Sequence, residues 1–428
     1  MMEERAREVP GSVGWMGISD KTLEFAYNPQ EFIKNKIKQY RSPVFKARML
    51  NKPTVFLTTS KAVQQLLEDS EQCFEMGYKD LGYMHSLFGD LVIFMNDDGN
   101  VSRLRGIFHS LFTPQTMNTI TDTVSSACDY LFSLWETDQP VAVYDQFKHF
   151  TTELCLNLFL GVNGRTCEDE MEMVRALTRT HWHGLISIPI SLKIGNYFTS
   201  SYGRAIAAKN SLLTLIKERL PHNENTLLDV MKGAEFQDVD ELSRHVLLFV
   251  SALIPKALSS LLTSCCLELA KPCNVKRRER AVTDDDYLKD VLLETKRLWP
   301  PFLGGRRIAK KRVIIDGYEI QKGCSVAYLM RNANTDPSVF PEPEKFHPER
   351  WQSTDAPSRS RVFTFGQGRR SCIGEHCIGR ILHVITKRLL MEYTWEVEPN
   401  EDLTYKWLPV SRPKNNVKVK FTKRERID

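Results

Sequence analysis

Apolar positions fall into two textures along the chain. From about residue 60 to residue 270 they recur mostly at helical spacing, with breaks at Thr113-Pro114, Gly161 to Gly164, Ile188-Pro189 and Pro221. This half is predicted to be largely α. Ahead of it, Val44 to Met49 and Thr54 to Thr58 are β-rich stretches joined by Asn51-Lys52-Pro53, which predicts a hairpin and a small sheet. After Trp299-Pro300-Pro301 the texture changes to short strands: Arg312 to Ile315 and Tyr318 to Ile320 flank Asp316-Gly317, a pair that favours positive φ in a tight turn. Ile378, Ile381, Leu382, Ile385 and Leu389 mark one face of a helix. A β-leaning tail follows, whose basic stretch Lys414 to Arg426 reads as a solvated strand and frayed end, since Lys and Arg usually stay in water. The pattern is that of a mainly α protein with small β-sheets. Residues 1 to 20 are polar and read as a mobile lead-in, with residues 21 to 428 as one domain.

Composition narrows the function classes. With 428 residues, 42% hydrophobic and 26% charged, the chain can bury a large core and is not disordered as a whole. Lys+Arg 58 against Asp+Glu 53 leaves a formal charge of +5 spread over the whole length, too diffuse for a nucleic-acid surface. Ten cysteines are too few for a disulfide scaffold of this length, and no secretory signal opens the chain, so reduced thiols in the cytoplasm are expected. The longest uncharged apolar runs, such as Leu247 to Pro255 and Gly184 to Leu192, fall short of the roughly 20 residues of a spanning helix. No transmembrane helix is expected.

The segment with the most chemistry is Phe365-Gly366-Gln367-Gly368-Arg369-Arg370-Ser371-Cys372-Ile373-Gly374, directly ahead of the amphipathic helix. Its glycines let the backbone turn tightly and approach a flat ligand, and the amides of a following helix N-terminus favour thiolate over thiol. A thiolate there can ligate a metal; taken alone, a glycine-rich turn with an incidental cysteine is equally open.

Here the sequence resembles the cytochrome P450 family, whose haem-ligand loop has Phe, Gly, Arg, Cys and Gly at the spacing of Phe365, Gly368, Arg370, Cys372 and Gly374. Further signatures occur in the same order. Glu294-Thr295-Lys296-Arg297 resembles the family's helix motif of Glu and Arg three apart, and Phe346-His347-Pro348-Glu349-Arg350-Trp351 resembles the adjoining Pro-Glu-Arg segment. The resemblance implies the cytochrome P450 fold, haem b held by Cys372, and a folding network of Glu294, Arg297 and Arg350 beneath the loop; by itself the Glu-Lys-Arg run reads as an exposed helical pair. It also assigns Arg370, Arg307 and Arg105 to the haem carboxylates, Arg being suited to fork-like contacts. Val101 stands where the family usually has Trp or His four residues before that last Arg.

The resemblance implies a haem-thiolate monooxygenase acting on a lipophilic small molecule with electrons from an NADPH-dependent reductase, since thiolate ligation favours O–O cleavage. Two departures bear on that expectation. Leu247 to Leu258 corresponds to the family's oxygen-binding helix, yet Val250-Ser251 and Leu253-Ile254 replace the usual small pair and the acid followed by Thr. A positioned proton donor is worth about 10² to 10⁴ in rate, so the usual relay is impaired unless Ser251 or water substitutes. Pro255 removes a helical hydrogen bond and reinforces a kink, although a plain buried core helix reads the same. Between Ala270 and Glu294 the connection is also shorter than in the family. The expected pocket is apolar: Val250, Ser251, Leu253, Ile254, Phe302, Leu303, Leu408 and Val410. Pro301 to Arg307 and Lys46 to Val55 resemble the animal retinoic-acid hydroxylases, which implies a retinoid or sterol-like lipid. The alternatives are an isomerase or dehydratase of lipid peroxides, which needs no relay, and a non-catalytic haem-binding paralogue. Many animal and plant relatives begin with a membrane anchor that is not read in this sequence, so the chain is expected to be soluble, peripheral or truncated at its start. The expectation is a monomer, cytoplasmic or peripheral on the endoplasmic reticulum membrane.

Overall fold

The hairpin at Asp316-Gly317 forms where the residues dictate. In the computed structural model, Val313–Ile315 pairs antiparallel with Tyr318–Ile320, and Asp316 (φ 50°) and Gly317 (φ 77°) take the left-handed turn that Asx and Gly tolerate. The structure describes residues 6–425 apart from 16–17, 69, 79–80, 96–97, 136–138, 163–167, 196–197 and 223–225. Gly164, Arg426 and parts of the lead-in therefore lie outside the described residues. Packing gathers the chain into two compact units: Met1–Tyr78, Lys289–Cys372 and Tyr405–Arg412 in the first, Lys79–Leu288, Ile373–Thr404 and Pro413–Asp428 in the second.

The first unit is built on a six-stranded sheet in the order Gly11–Ser12, Val44–Met49, Lys52–Leu57, Ser325–Leu329, Gly304–Ala309, Phe74–Met76. Lys52–Leu57 runs parallel to Ser325–Leu329, and the flanking pairs of long strands are antiparallel. Strand alternation sorts its side chains into two cores. Val44, Val55, Leu57, Val326 and Tyr328 pack on one face, while Phe45, Ala47, Phe56 and Leu329 pack on the other. Both faces are covered, which is why these strands read as continuous apolar runs. The first hairpin turns at Leu50 and Asn51 (φ 51° and 57°), slightly earlier than Asn51-Lys52-Pro53 suggests. Thr22 Oγ1 accepts the Leu50 amide at 2.6 Å and Asp20 Oδ2 the Asn51 amide at 2.6 Å, which offsets a left-handed Leu. Pairing to Ser325–Leu329 begins at Thr54, so Pro53 forfeits no ladder bond on that side. Within the segment read as a lead-in, Arg7–Glu8 runs parallel to Tyr318 and Glu319, and Gly11–Ser12 pairs with Lys46 and Ala47.

The second unit is helical. Pro114–Ser133 starts where Thr113-Pro114 breaks the pattern, with Thr113 Oγ1 accepting the Thr116 amide at 3.1 Å. Val143–Leu160 ends on Gly161 at φ 68°, and Ser201–Arg219 stops ahead of Pro221. Val143–Leu160 packs along a continuous helix made of Val239–Leu248, a π-turn at Phe249–Leu253 and Ile254–Ala270. By length and composition alone that helix is long and apolar enough to cross a membrane, since scattered Ser, Pro and Lys residues hide its apolar total in a reading of uninterrupted runs. Its most apolar stretch is 78% buried inside the structure. The short connection after it folds as the 3₁₀ turn Pro272–Asn274 and the helix Val275–Thr283. In Glu375–Glu392 the five positions Ile378, Ile381, Leu382, Ile385 and Leu389 are all buried. Lys418–Lys423 pairs with Tyr393–Val397, burying Val419 and Phe421 while Lys418 and Lys420 face water.

Candidate functional site

Two 3₁₀ turns, Phe363–Phe365 and Gly368–Arg370, shape the cysteine loop of the first unit. Gly366 (φ 71°) and Gly368 (φ 69°) both need left-handed backbone, and a Cβ on Gly368 would sit 2.7 Å from the Leu67 carbonyl oxygen. The Cys372 amide donates to the Phe365 carbonyl at 2.6 Å and the Ser371 amide to that of Gly368 at 3.0 Å, closing the loop on itself. The Cys372 side chain is left exposed, with Phe365 half-buried. In chain order Gly374 then immediately precedes Glu375–Glu392.

Beneath the loop lies a buried ionic cluster. Glu294 and Arg297, one turn apart on Asp285–Leu298, are both fully buried and joined by two bonds: Nε to Oε2 at 2.9 Å and Nη2 to Oε1 at 2.8 Å. Arg350 Nε donates to Glu294 Oε1 at 3.0 Å, as does the His347 amide at 2.9 Å, and Trp351 Nε1 donates to Oε2 at 3.1 Å. Arg297 spends its remaining donors on the carbonyls of Asn334, Pro343 and Lys345. Two guanidiniums share one carboxylate, and backbone carbonyls take up the remaining donors, so each buried charged group is hydrogen-bonded, the condition under which buried ions are tolerated. Asn334 links this cluster to the loop: its Oδ1 accepts the Phe363 amide at 2.8 Å, and its Nδ2 donates to Thr364 Oγ1 at 3.1 Å. Neither Asn334 nor Thr364 lies in a motif singled out from sequence; a lone buried amide has no periodic signature.

Of the three cations assigned by resemblance, Arg307 is the informative one. It is 4% exposed on Gly304–Ala309, stacks 5.2 Å from the Tyr328 ring and donates Nη1 to the Arg306 carbonyl at 3.1 Å. Its Nε has no partner and no acidic side chain pairs with it among the described residues. A buried guanidinium without an anion is unfavourable, so the carboxylate of a bound group fits here. Arg370 is half-buried in the loop itself, and Arg105 is half-buried on Asp98–Leu111 of the second unit, one turn after buried Val101.

On the long helix the structure separates the expected pocket residues. Val250 and Ser251 are fully buried, whereas Leu253 and Ile254 keep accessible surface, as do Phe249 and Ala257. The Ser251 hydroxyl is 2.7 Å from Nδ1 of His181 and 2.8 Å from the Leu247 carbonyl. Nε2 of His181 faces the Leu87 carbonyl at 3.0 Å, so it carries the proton and Nδ1 accepts from Ser251. Burial pushes His181 down to about 4, and the ring is neutral at physiological pH. The hydroxyl read as a substitute proton donor is thus engaged inside the unit. In the first unit Leu303 packs in the core with Phe45, Phe56 and Trp407, and Val410 is fully buried; Phe302 and Leu408 keep part of their surface.

A model of the cytochrome P450 family matches residues 14–239 and 276–421. The chain belongs to the cytochrome P450 family. The matched residues leave out nearly all of the helix in which Leu253-Ile254 replace the usual acid and Thr. Among relatives, the putative cytochrome P450 120 of Synechocystis is 26% identical over 438 residues and 96% of each chain. Cytochrome P450 26B1 of Danio rerio is 23% identical, over 98% of this chain and 88% of that one. Abscisic acid 8'-hydroxylase 1 of Arabidopsis thaliana is 24% identical, over 98% and 92%. The solved structure of retinoic acid bound cyanobacterial CYP120A1 superposes with a TM-score of 0.85 at 24% identity, covering 98% of this chain and 99% of that chain, which establishes the P450 fold. As a P450 the chain is a haem-dependent oxidoreductase of the monooxygenase class, with haem b as its cofactor.

Proposed function

We propose that Cys372 ligates the haem iron and that the enzyme oxidises a lipophilic small molecule of retinoid or sterol type, using O2 and electrons from an NADPH-dependent reductase. One observation carries this reading: the unit that exposes Cys372 on a glycine-turned loop also buries Arg307 with no anion of its own. Arg307 and Arg370 would hold haem carboxylates; Arg105 is assigned to them by the sequence resemblance alone. Thiolate-bound haem supplies the O–O cleaving chemistry. The protein's part is to fix the loop through Asn334 and the Glu294 cluster. The accessible apolar side chains of Leu253 and Ile254 on the long helix suit a lipid, as do the relatives named for retinoic acid and abscisic acid.

A second reading, an isomerase or dehydratase of lipid hydroperoxides, is favoured by the accessible side chains of the long helix. Phe249, Leu253, Ile254 and Ala257 offer no hydroxyl or acid, and Ser251 is bonded to His181. Reductase-driven product formation supports the monooxygenase; rearrangement of a hydroperoxide without NADPH supports the second reading; neither, despite bound haem, marks a non-catalytic paralogue. The ligand is tested separately. Reduced, carbon-monoxide-treated protein should show the red-shifted thiolate band and Cys372→Ala should lose it; a band that survives the substitution removes Cys372 from the iron.

A further inference from the structure

Lys296 lies in sequence between two residues of the buried ionic cluster, yet it stays half-buried and meets the cysteine loop at two points. Its carbonyl accepts the Thr364 hydroxyl at 2.6 Å, and its ammonium lies 5.5 Å from the centre of the Phe365 ring. That separation is within reach of a cation–π attraction. Thr364 Oγ1 also accepts Asn334 Nδ2 at 3.1 Å, which fixes the backbone of Lys296 relative to the loop. Phe365 in turn gives its carbonyl to the Cys372 amide at 2.6 Å. Lysine, ring and cysteine backbone form one connected chain inside the first unit.

A charge held there bears on redox chemistry. An ammonium partly withdrawn from water, with an aromatic ring against it, is screened less than one in open solvent, so its field reaches further. The loop from Phe365 to Gly374 adds Arg369 and Arg370 and contains no acid that would oppose that field. An electron passed from the reductase to haem iron makes the ligated centre more negative, and a nearby cation stabilises that form over the oxidised one. The same cation draws density from a thiolate and opposes its push on the iron. We infer that Lys296, acting through the Phe365 ring, raises the reduction potential of the bound haem. The inference rests on Cys372 as the iron ligand and adds a residue that sets how readily the iron takes its first electron.

The test is spectroelectrochemical titration of the holoenzyme. Lys296→Met and Lys296→Gln remove the charge, and Lys296→Arg keeps a cation over the ring. The two neutral variants should shift the ferric–ferrous equilibrium about tenfold toward ferric, about 59 mV for a one-electron step, while Lys296→Arg stays within about twofold of wild type. In the carbon monoxide complex of either neutral variant the C–O stretch should fall in frequency, because a more electron-rich iron donates more to the bound ligand. In a Phe365→Leu background, where the ammonium loses its seat, Lys296→Met should move the potential less. With the thiolate band present, an unchanged potential in the neutral variants overturns the inference and leaves the ligand assignment standing. So does an equal fall in Lys296→Arg, which would make packing rather than charge the cause, or an undiminished effect without the ring. Slower reduction by the reductase at an unchanged potential would make Lys296 a docking contact and overturn it too. A wild type without the thiolate band would remove the ligand assignment and this inference together.

Discussion

The cluster under the cysteine loop and the histidine contacts of the long helix bury polar groups in opposite ways. In the first unit Glu294, Arg297 and Arg350 are ionic, and each charge meets fixed donors or acceptors. In the second, His181 and His245 are kept neutral by burial and are satisfied by single bonds to hydroxyl and backbone groups. The ionic cluster keeps the residues the P450 family leads one to expect, whereas the long helix departs from them. Fixed charges tolerate no substitution without stranding a partner, but apolar helix packing absorbs volume-conserving changes at little cost. Leu253-Ile254 lie on such a neutrally packed helix.

The largest effect should come from breaking the ionic side of this comparison. Glu294→Gln keeps the side-chain volume but leaves Arg297 and Arg350 buried without a counter-charge. The loss of unfolding free energy should be about 3 to 5 kcal/mol, with faster haem loss because Asn334 and Thr364 tie the same region to the loop. Denaturant unfolding and the ratio of haem to protein absorbance measure both. A change under about 0.5 kcal/mol would mean that the cluster holds nothing in place.

Acid should act on the neutral side. Burial is the main cause that lowers both His181 and His245 from 6.5 to about 4. Around His245 the Glu241 carboxylate opposes the shift and Arg103 adds to it, with the rings of Phe108, Phe236 and Phe249 packed alongside. Its Nε2 accepts the Ile93 amide at 3.1 Å, a bond lost when that nitrogen is protonated. The folded values lie below the unfolded one, so the unfolded chain binds more protons between about pH 6.5 and 4. Stability from these groups is full above 6.5 and lost progressively as pH falls through that window, on the order of 3 kcal/mol for each histidine. Unfolding free energies across the window, compared with a His181→Gln/His245→Gln variant, should show a shallower decline in the variant; equal slopes would assign the acid sensitivity elsewhere.

Legibility followed the same division. The two hairpins, the start at Pro114 and the buried face of Glu375–Glu392 were readable because turn chemistry and periodicity are local. The cysteine loop was readable because its residue types are few and closely spaced. The partners of Glu294 sit in the motifs, but the link from Arg297 to the loop was not readable, because Asn334 reaches Arg297 through a tertiary contact. Leu303 and Val410 looked like pocket residues because apolar character does not distinguish lining from core. The spanning-length helix escaped because polar residues that face the protein interior break its runs. His181 escaped because a lone histidine on an apolar helix carries no spacing signal.

The smallest effect decides whether Ser251 is structural or takes part in proton supply. Ser251→Ala removes the donor to His181 Nδ1 and leaves a buried acceptor unsatisfied, a loss of about 1 to 3 kcal/mol, while Ala gains roughly 0.5 kcal/mol in helix propensity. The Leu247 carbonyl loses no proton donor, because the single hydroxyl hydrogen goes to His181, and the π-turn at Phe249–Leu253 weakens that helical gain. A net loss near 1 kcal/mol is expected, with product formed per NADPH unchanged, because the hydroxyl is fully buried and its one proton is already given to His181. If instead coupling falls by about tenfold or more while the unfolding midpoint stays put, Ser251 is delivering protons and the neutral side of the comparison is catalytic after all.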